Sequence, residues 1–158
     1  MKSSFIFTLT LVFSVMGFSQ DIQHFKNLIE AENGFIGINT TEPDAMLTVK
    51  GAIHTQEVNV DLNGAVAPDY VFQTYFWGHS TLNPAYRFLS LEAIEHYIKQ
   101  NHHLPKVPSA EELASEGLSL KEMNLVLLEK IEELTLHTIS QQKQLEALTK
   151  RIEALENE

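Results

Sequence analysis

Glu95, His96, His102 and His103 are the residues whose types best suit a metal ion. Their spacing argues against one. Glu95 and His96 are neighbours and point to different sides of a helix, and the His102-His103 pair lacks the i, i+4 separation of a helical zinc site. No third ligand falls in a predictable place. The expectation is polar histidines near a helix C-terminus, where positive charge is welcome. Lys106 with Ser109, and Ser119 with Lys121, have the side chains of a Ser-Lys nucleophile. Each serine also opens an S-x-x-E capping box, which already explains it. Tyr70, Phe72, Tyr75, Phe76 and Trp77 place five aromatics in eight residues. Such rings can stack on a sugar, or bury roughly 150–250 Å² each as the core of a small domain; the core is the expected use. No G-x-S-x-G, phosphate loop or dinucleotide fingerprint occurs. A glycosidase carboxylate pair would be set by the fold and not by spacing, and the middle region is small for an enzyme. We therefore expect no catalytic residues, no metal and no cofactor.

The composition narrows the classes further. The chain has 158 residues, no cysteine and a formal net charge of -10. Zero Cys removes a disulfide scaffold, a thiolate zinc site, a cysteine nucleophile and a lipoprotein anchor. Eleven Lys+Arg against 21 Asp+Glu, without a basic cluster, speak against a nucleic-acid partner, because phosphate affinity comes from concentrated cations. Met1 to Gln20 carries one charge, Lys2, ahead of a 14-residue largely apolar run from Phe5 to Phe18. As a helix that run spans roughly 21 Å, short of the ~30 Å hydrocarbon core of a bilayer. With small residues at Gly17 and Ser19, it reads as a signal peptide, residues 1–19, whose cleavage leaves Gln20 first. The expected location is outside the cytoplasm, in the periplasm, at the cell surface or extracellular, with no membrane span after cleavage.

The elements that follow change period along the chain. Residues 20–33 form a lead, in which Ile22, Phe25, Leu28 and Ile29 suggest two turns of helix over Asp21–Ala31. Residues 34–64 then alternate: Ile36 and Ile38, then Leu47, Val49, Gly51 and Ile53, then Val58, Val60 and Leu62. Period two predicts three short strands, too few to enclose a core alone. Pro43 and Asp44 supply turn chemistry between the first two. In the middle region, 65–118, Ser90 opens a helix carrying Leu91, Ile94, Tyr97 and Ile98 on one face and ending at Asn101. The Ser109 and Ser119 boxes predict a short helix stopped by Gly117, then a second helix.

Residues 119–158 hold the most specific pattern. Leu120, Asn124, Leu127, Ile131, Leu134, Thr138, Gln141, Leu145, Leu148, Ile152 and Leu155 alternate spacings of four and three without a slip. Asn124, Ile131, Thr138, Leu145 and Ile152 take position a of a heptad, and the others take d. Glu132 and Glu133 then read as solvent-side. Eight of the eleven seam residues are Leu or Ile; leaving them in water forfeits roughly 12–24 kcal/mol at about 1.5–3 kcal/mol each. Self-association as a parallel coiled coil is the expected answer. Ile at a with Leu at d leans toward two strands, whereas Leu145 at a and Leu128 at e lean toward three. Thr138 and Gln141 form a polar band that costs stability and fixes register.

Three blocks carry a family likeness. GFIGINTTEPDAMLTVKGAIHTQEV matches a fibre repeat of the form G-x-[IV]-G-I-G-T-x-x-P-x-x-x-L-x-V-x-G-x-I, with Asn39 in place of a glycine; asparagine tolerates positive φ, so the turn can survive. PDYVFQTYFWGHSTLNPAYRFLSLEAIEHYIKQNHHLPKVPSAEELASEGLSL and MNLVLLEKIEELTLHTISQQKQLEAL supply the middle and C-terminal blocks. Together, from about Asn33 to Leu148, the chain resembles the secreted tail-fibre-like proteins of Bacteroidetes, which join a fibre repeat to a chaperone-like segment and a coiled coil. The resemblance implies an α+β fold: a fibre-type β segment with interchain β structure, a small mixed α/β middle region and a long parallel coiled coil in an elongated homo-oligomer. It implies a structural or adhesive role, with copies of the chain as partners, a trimer with a dimer as the alternative, and a surface glycan or another fibre component as a further partner. It also implies a distant link to the self-cleaving chaperone domains of phage tail spikes. Neither Ser-Lys pair here has the flanking pattern of those domains, so self-processing is the alternative reading, beside a carbohydrate-binding module built on Trp77.

Overall fold

The computed structural model describes residues 28–31 and 34–157. The signal segment and most of the expected lead helix lie outside them. Contacts divide the chain into two units, residues 1–58 and 59–158. Among the described residues, the fold is mixed α/β, a three-stranded sheet and four helices.

The first unit holds β1 (Leu28–Glu30), β2 (Ile36–Ile38) and β3 (Leu47–Val49) in the order β1-β2-β3. β1 runs antiparallel to β2, pairing Leu28 with Ile38 and Glu30 with Ile36. β2 runs parallel to β3, pairing Ile36 with Leu47 and Ile38 with Val49. Ile36, Ile38, Leu47 and Val49 therefore lie in the strands that their period predicts, while Gly51 and Ile53, expected to continue the second, fall beyond the end of β3. At the end of the lead, Leu28–Glu30 is a strand and not helix. A two-turn apolar stripe is a weak local preference, and the ladder to β2 overrides it. Val58–Leu62 also departs from expectation, for it is irregular and Val58, Val60 and Leu62 are exposed. Among the described residues no strand pairs with this stretch, and an alternating stretch without a ladder gains little from extension.

A parallel pair normally needs a long crossover, yet residues 39–46 suffice here. Asn39 takes φ 60°, the left-handed conformation expected of it, and its Nδ2 donates to the Lys50 carbonyl at 3.0 Å. The buried Thr48 hydroxyl donates to Asp44 Oδ1 at 2.7 Å and accepts from the Asp44 and Ala45 N–H groups at 3.1 Å. That hydroxyl, the Asp44 backbone N–H and then Lys50 hold the Asp44 carboxyl below its ordinary value. Gly37 is required by contact: a Cβ there would run into the Thr40 carbonyl oxygen.

The second unit holds α1 (Tyr70–Trp77), α2 (Leu91–Asn101), α3 (Ala110–Glu116) and α4 (Leu120–Glu156). The three serine caps act as their sequence predicts. Ser90 Oγ accepts from Ala93 N–H, and Ser119 Oγ from Glu122 N–H. At Ser109 both halves of the capping box are present, with Glu112 Oε2 accepting from Ser109 N–H at 2.7 Å. α2 ends at Asn101, where His102 turns left-handed at φ 60°. The aromatic block, by contrast, is a helix closed by Gly78 at φ 77°. Only part of it enters the core. Tyr70, Val71, Tyr86 and Leu136 are buried, with Tyr75 and Phe88 against them, while Phe76 and Trp77 stay exposed. No helix among the described residues is long and apolar enough to cross a membrane.

Candidate functional site

α4 is 37 residues long, about 55 Å, and its two sides differ in chemistry. One side packs on α1 and on the segment through Tyr86 and Phe88. Leu136 supplies its apolar contact, and the other buried residues are glutamates: Glu129, Glu132 and Glu133. The expectation that Glu132 and Glu133 face solvent is therefore wrong. The physical reason is that Tyr86 and Lys130 satisfy the Glu133 carboxylate, which solvent would otherwise have to do, and Glu132, its neighbour on the same side of the helix, is buried with it.

Glu129 is 2% exposed and is the hub. Its Oε2 accepts from the Tyr70 hydroxyl at 2.5 Å and from Lys106 Nζ at 2.7 Å, and its Oε1 from Lys130 Nζ at 2.9 Å. Lys130 also reaches Glu133 Oε2 at 2.8 Å, while Tyr86 donates to Glu133 Oε1 at 2.9 Å. The Lys106 ammonium lies 4.9 Å from the Tyr86 ring centroid, a cation–π contact that adds to its ion pair. Burial alone would raise the Glu129 carboxyl, but hydrogen bonds from Lys106, Tyr70 and Lys130 outweigh it and hold the group below its ordinary value. Lys130 is likewise held above its ordinary value, because Glu133 and Glu129 outweigh burial. Burial, followed by the hydrogen bonds to Glu129 and Glu133, drives the Tyr70 and Tyr86 hydroxyls upward, so both stay protonated donors. The cluster ties α4 to α1 through Tyr70 and to the segments that carry Tyr86 and Lys106. Glu132 is different. Its Oε2 has no hydrogen-bond partner, and burial, then the charges of Asp69 and Glu129, push its carboxyl up.

The opposite side of α4 carries the predicted seam, and all eleven positions are exposed. Leu120, Leu127, Ile131, Leu134, Leu145, Leu148, Ile152 and Leu155 are between 47% and 65% exposed. Asn124 Nδ2 and Thr138 Oγ1 donate back to the carbonyls of Leu120 and Leu134. Leu128, beside the seam, is exposed as well. From residue 141 to 156 the helix is exposed on every side.

The other candidates scatter. Among the described residues no group of three or more His, Asp or Glu is placed to hold a metal. His103 stacks edge-on against Tyr97, and His102 is the α2 cap. Lys106 is committed to Glu129 and Ser109 to its capping box, while Lys121 reaches the Leu62 carbonyl at 3.4 Å and Ser119 caps α4. Sequence reasoning missed the Glu129 cluster entirely; its donors lie 59, 47 and 23 residues away from their carboxylates, beyond any periodic signal. Comparison with protein-family models, with curated proteins and with solved structures finds no match to this chain.

Proposed function

We propose that this chain is an exported, non-enzymatic, structural or adhesive fibre-like protein that associates with copies of itself through α4 as a parallel three-stranded coiled coil. One observation carries the reading: a 4-3 stripe, Leu or Ile at eight of its eleven positions, runs the length of α4 and lies exposed in the single chain. A stripe of this size left in water is costly, and another copy offers an identical stripe in the same register. Exposed Leu128 widens the stripe in the way three strands use better than two. The Thr138 and Gln141 layers mark the register, since three copies bring three hydroxyls and three amides to one level. Molar mass by light scattering on residues 20–158 tests the proposal. Three chain masses are expected, and a single chain mass at micromolar concentration contradicts it.

A second reading draws on Phe76 and Trp77, 66% and 68% exposed at the end of α1. Exposed rings of this kind stack on sugars. Trp77 fluorescence titrated with glycans tests that reading, and an unchanged signal removes it.

A further inference from the structure

Paired residues of neighbouring strands point to the same side of a sheet, and alternate residues return to that side. The register of the first unit therefore puts Leu28, Ile36, Ile38, Leu47 and Val49 on one face, with Glu30 beside Ile36 at the β1 edge of that face. The other face is closed by its own chain: Gly37 and Thr48 are buried beneath the 39–46 turn, which leaves no room for a Cβ on Gly37. Among the described residues the apolar face has no such cover, although Ile38 and Val49 are half-buried. Leu28, Ile36 and Leu47 are 45%, 38% and 57% exposed.

We propose that this sheet face is a second contact between copies of the chain, closed face to face once α4 has brought the copies together. The inference rests on the coiled-coil reading. Strands of three residues cannot bury this face against each other. Five aliphatic side chains also fall far short of the roughly 800 Å² per partner that a stable complex of independent proteins buries. The occupant must then arrive already tethered. The longest regular run of exposed apolar side chains among the described residues is the α4 seam, and copies held there bring their sheets to an effective concentration on the order of millimolar. A foreign protein would need separate recognition of each surface, whereas a second copy supplies both. Face-to-face closure leaves the β1-β2-β3 ladder within each chain, so no strand is exchanged. It replaces the interchain strand pairing that the fibre likeness implies.

The absence of cysteine makes cross-linking a clean test. Leu47→Cys places a thiol on the apolar face, and Glu42→Cys places one on the exposed turn behind it. Under mild oxidation of the full chain at low micromolar concentration, Leu47→Cys should form disulfide-linked dimers in up to two of every three chains, while Glu42→Cys forms few. Adding Ile131→Asp and Leu134→Asp to Leu47→Cys should abolish the link. If Leu47→Cys links no better than Glu42→Cys in protein that still has three chain masses, the sheet contact is overturned and the seam stands. Linking that survives loss of the seam overturns the tethering argument. A wild type of single chain mass overturns both.

Discussion

Between residues 120 and 140, α4 reverses the usual relation of polarity to burial. Its inner side buries Glu129, Glu132 and Glu133, and its outer side leaves Leu127, Ile131 and Leu134 to solvent. A helix whose leucines served its own chain would bury them. Here the chain grips α4 through directional bonds from Tyr70, Tyr86 and Lys106 and keeps the apolar stripe free. Directional bonds do one thing that apolar packing does less well: they fix the rotation of the helix about its axis. Slipping by one residue would turn the seam by about 100° and pull Glu129 and Glu133 from their donors. The difference between the two sides teaches that the polar anchor sets where the stripe points; in the function proposed above, the stripe then sets what the chain joins.

The largest expected break falls on the polar side. Glu129→Ala removes the acceptor shared by Tyr70, Lys106 and Lys130, leaving a buried ammonium and hydroxyl short of partners. Breaking a buried pair in this way costs about 3–5 kcal/mol; the half-exposed Lys106 places the expected loss near the lower figure. Urea unfolding at fixed protein concentration measures it. A loss of less than about 1 kcal/mol would mean that apolar packing, and not the cluster, holds α4.

Glu132 sharpens the same comparison with a smaller effect of opposite sign. Its carboxyl is raised, so the folded chain prefers it neutral: the favourable contribution is present below the ordinary 4.5 and is lost as pH rises through the folded value. Glu129 is lowered, so its contribution is present above 4.5 and is lost as pH falls. Glu132→Gln should therefore raise Tm at pH 7, by about 1–2 kcal/mol in stability, with the gain shrinking toward acid. Melting curves across pH check it. A gain that grows on acidification would show the sign to be wrong.

What the sequence reveals of this molecule is what local physics determines. Ser90, Ser109 and Ser119 accept from residues three positions on, and each helix start is legible for that reason. Ile36–Ile38 and Leu47–Val49 show the two-residue period of the strands they form. The seam is legible because its spacing needs no knowledge of the rest of the chain. Legibility ends where partners are distant. Leu28–Glu30 is a strand only because β2 lies beside it, and Val58–Leu62 is not one because no strand among the described residues pairs with it. Pro68 and Gly78 bracket α1 as helix punctuation, but five aromatics around the turn hide the helical face. The heptad places Glu129, Glu132 and Glu133 away from the seam, and periodicity then assigns them to water. Tyr70 and Tyr86 put Glu129 and Glu133 in the core instead, and Glu132 goes with them.

The most direct test of the account replaces seam residues that the single chain does not use. Ile131 and Leu134 are 60% and 65% exposed, so Ile131→Asp with Leu134→Asp leaves the packing around Tyr70, Tyr86 and Leu136 untouched. In a coiled coil the same change buries two unpaired charges per chain. Molar mass by light scattering should fall from three chains to one, with the near-ultraviolet signal of the aromatic core retained. Lys143→Ala with Glu153→Ala, exposed and off the seam, should keep three. A seam variant that keeps the wild-type mass would contradict the account, because α4 would then join its copies through some other face.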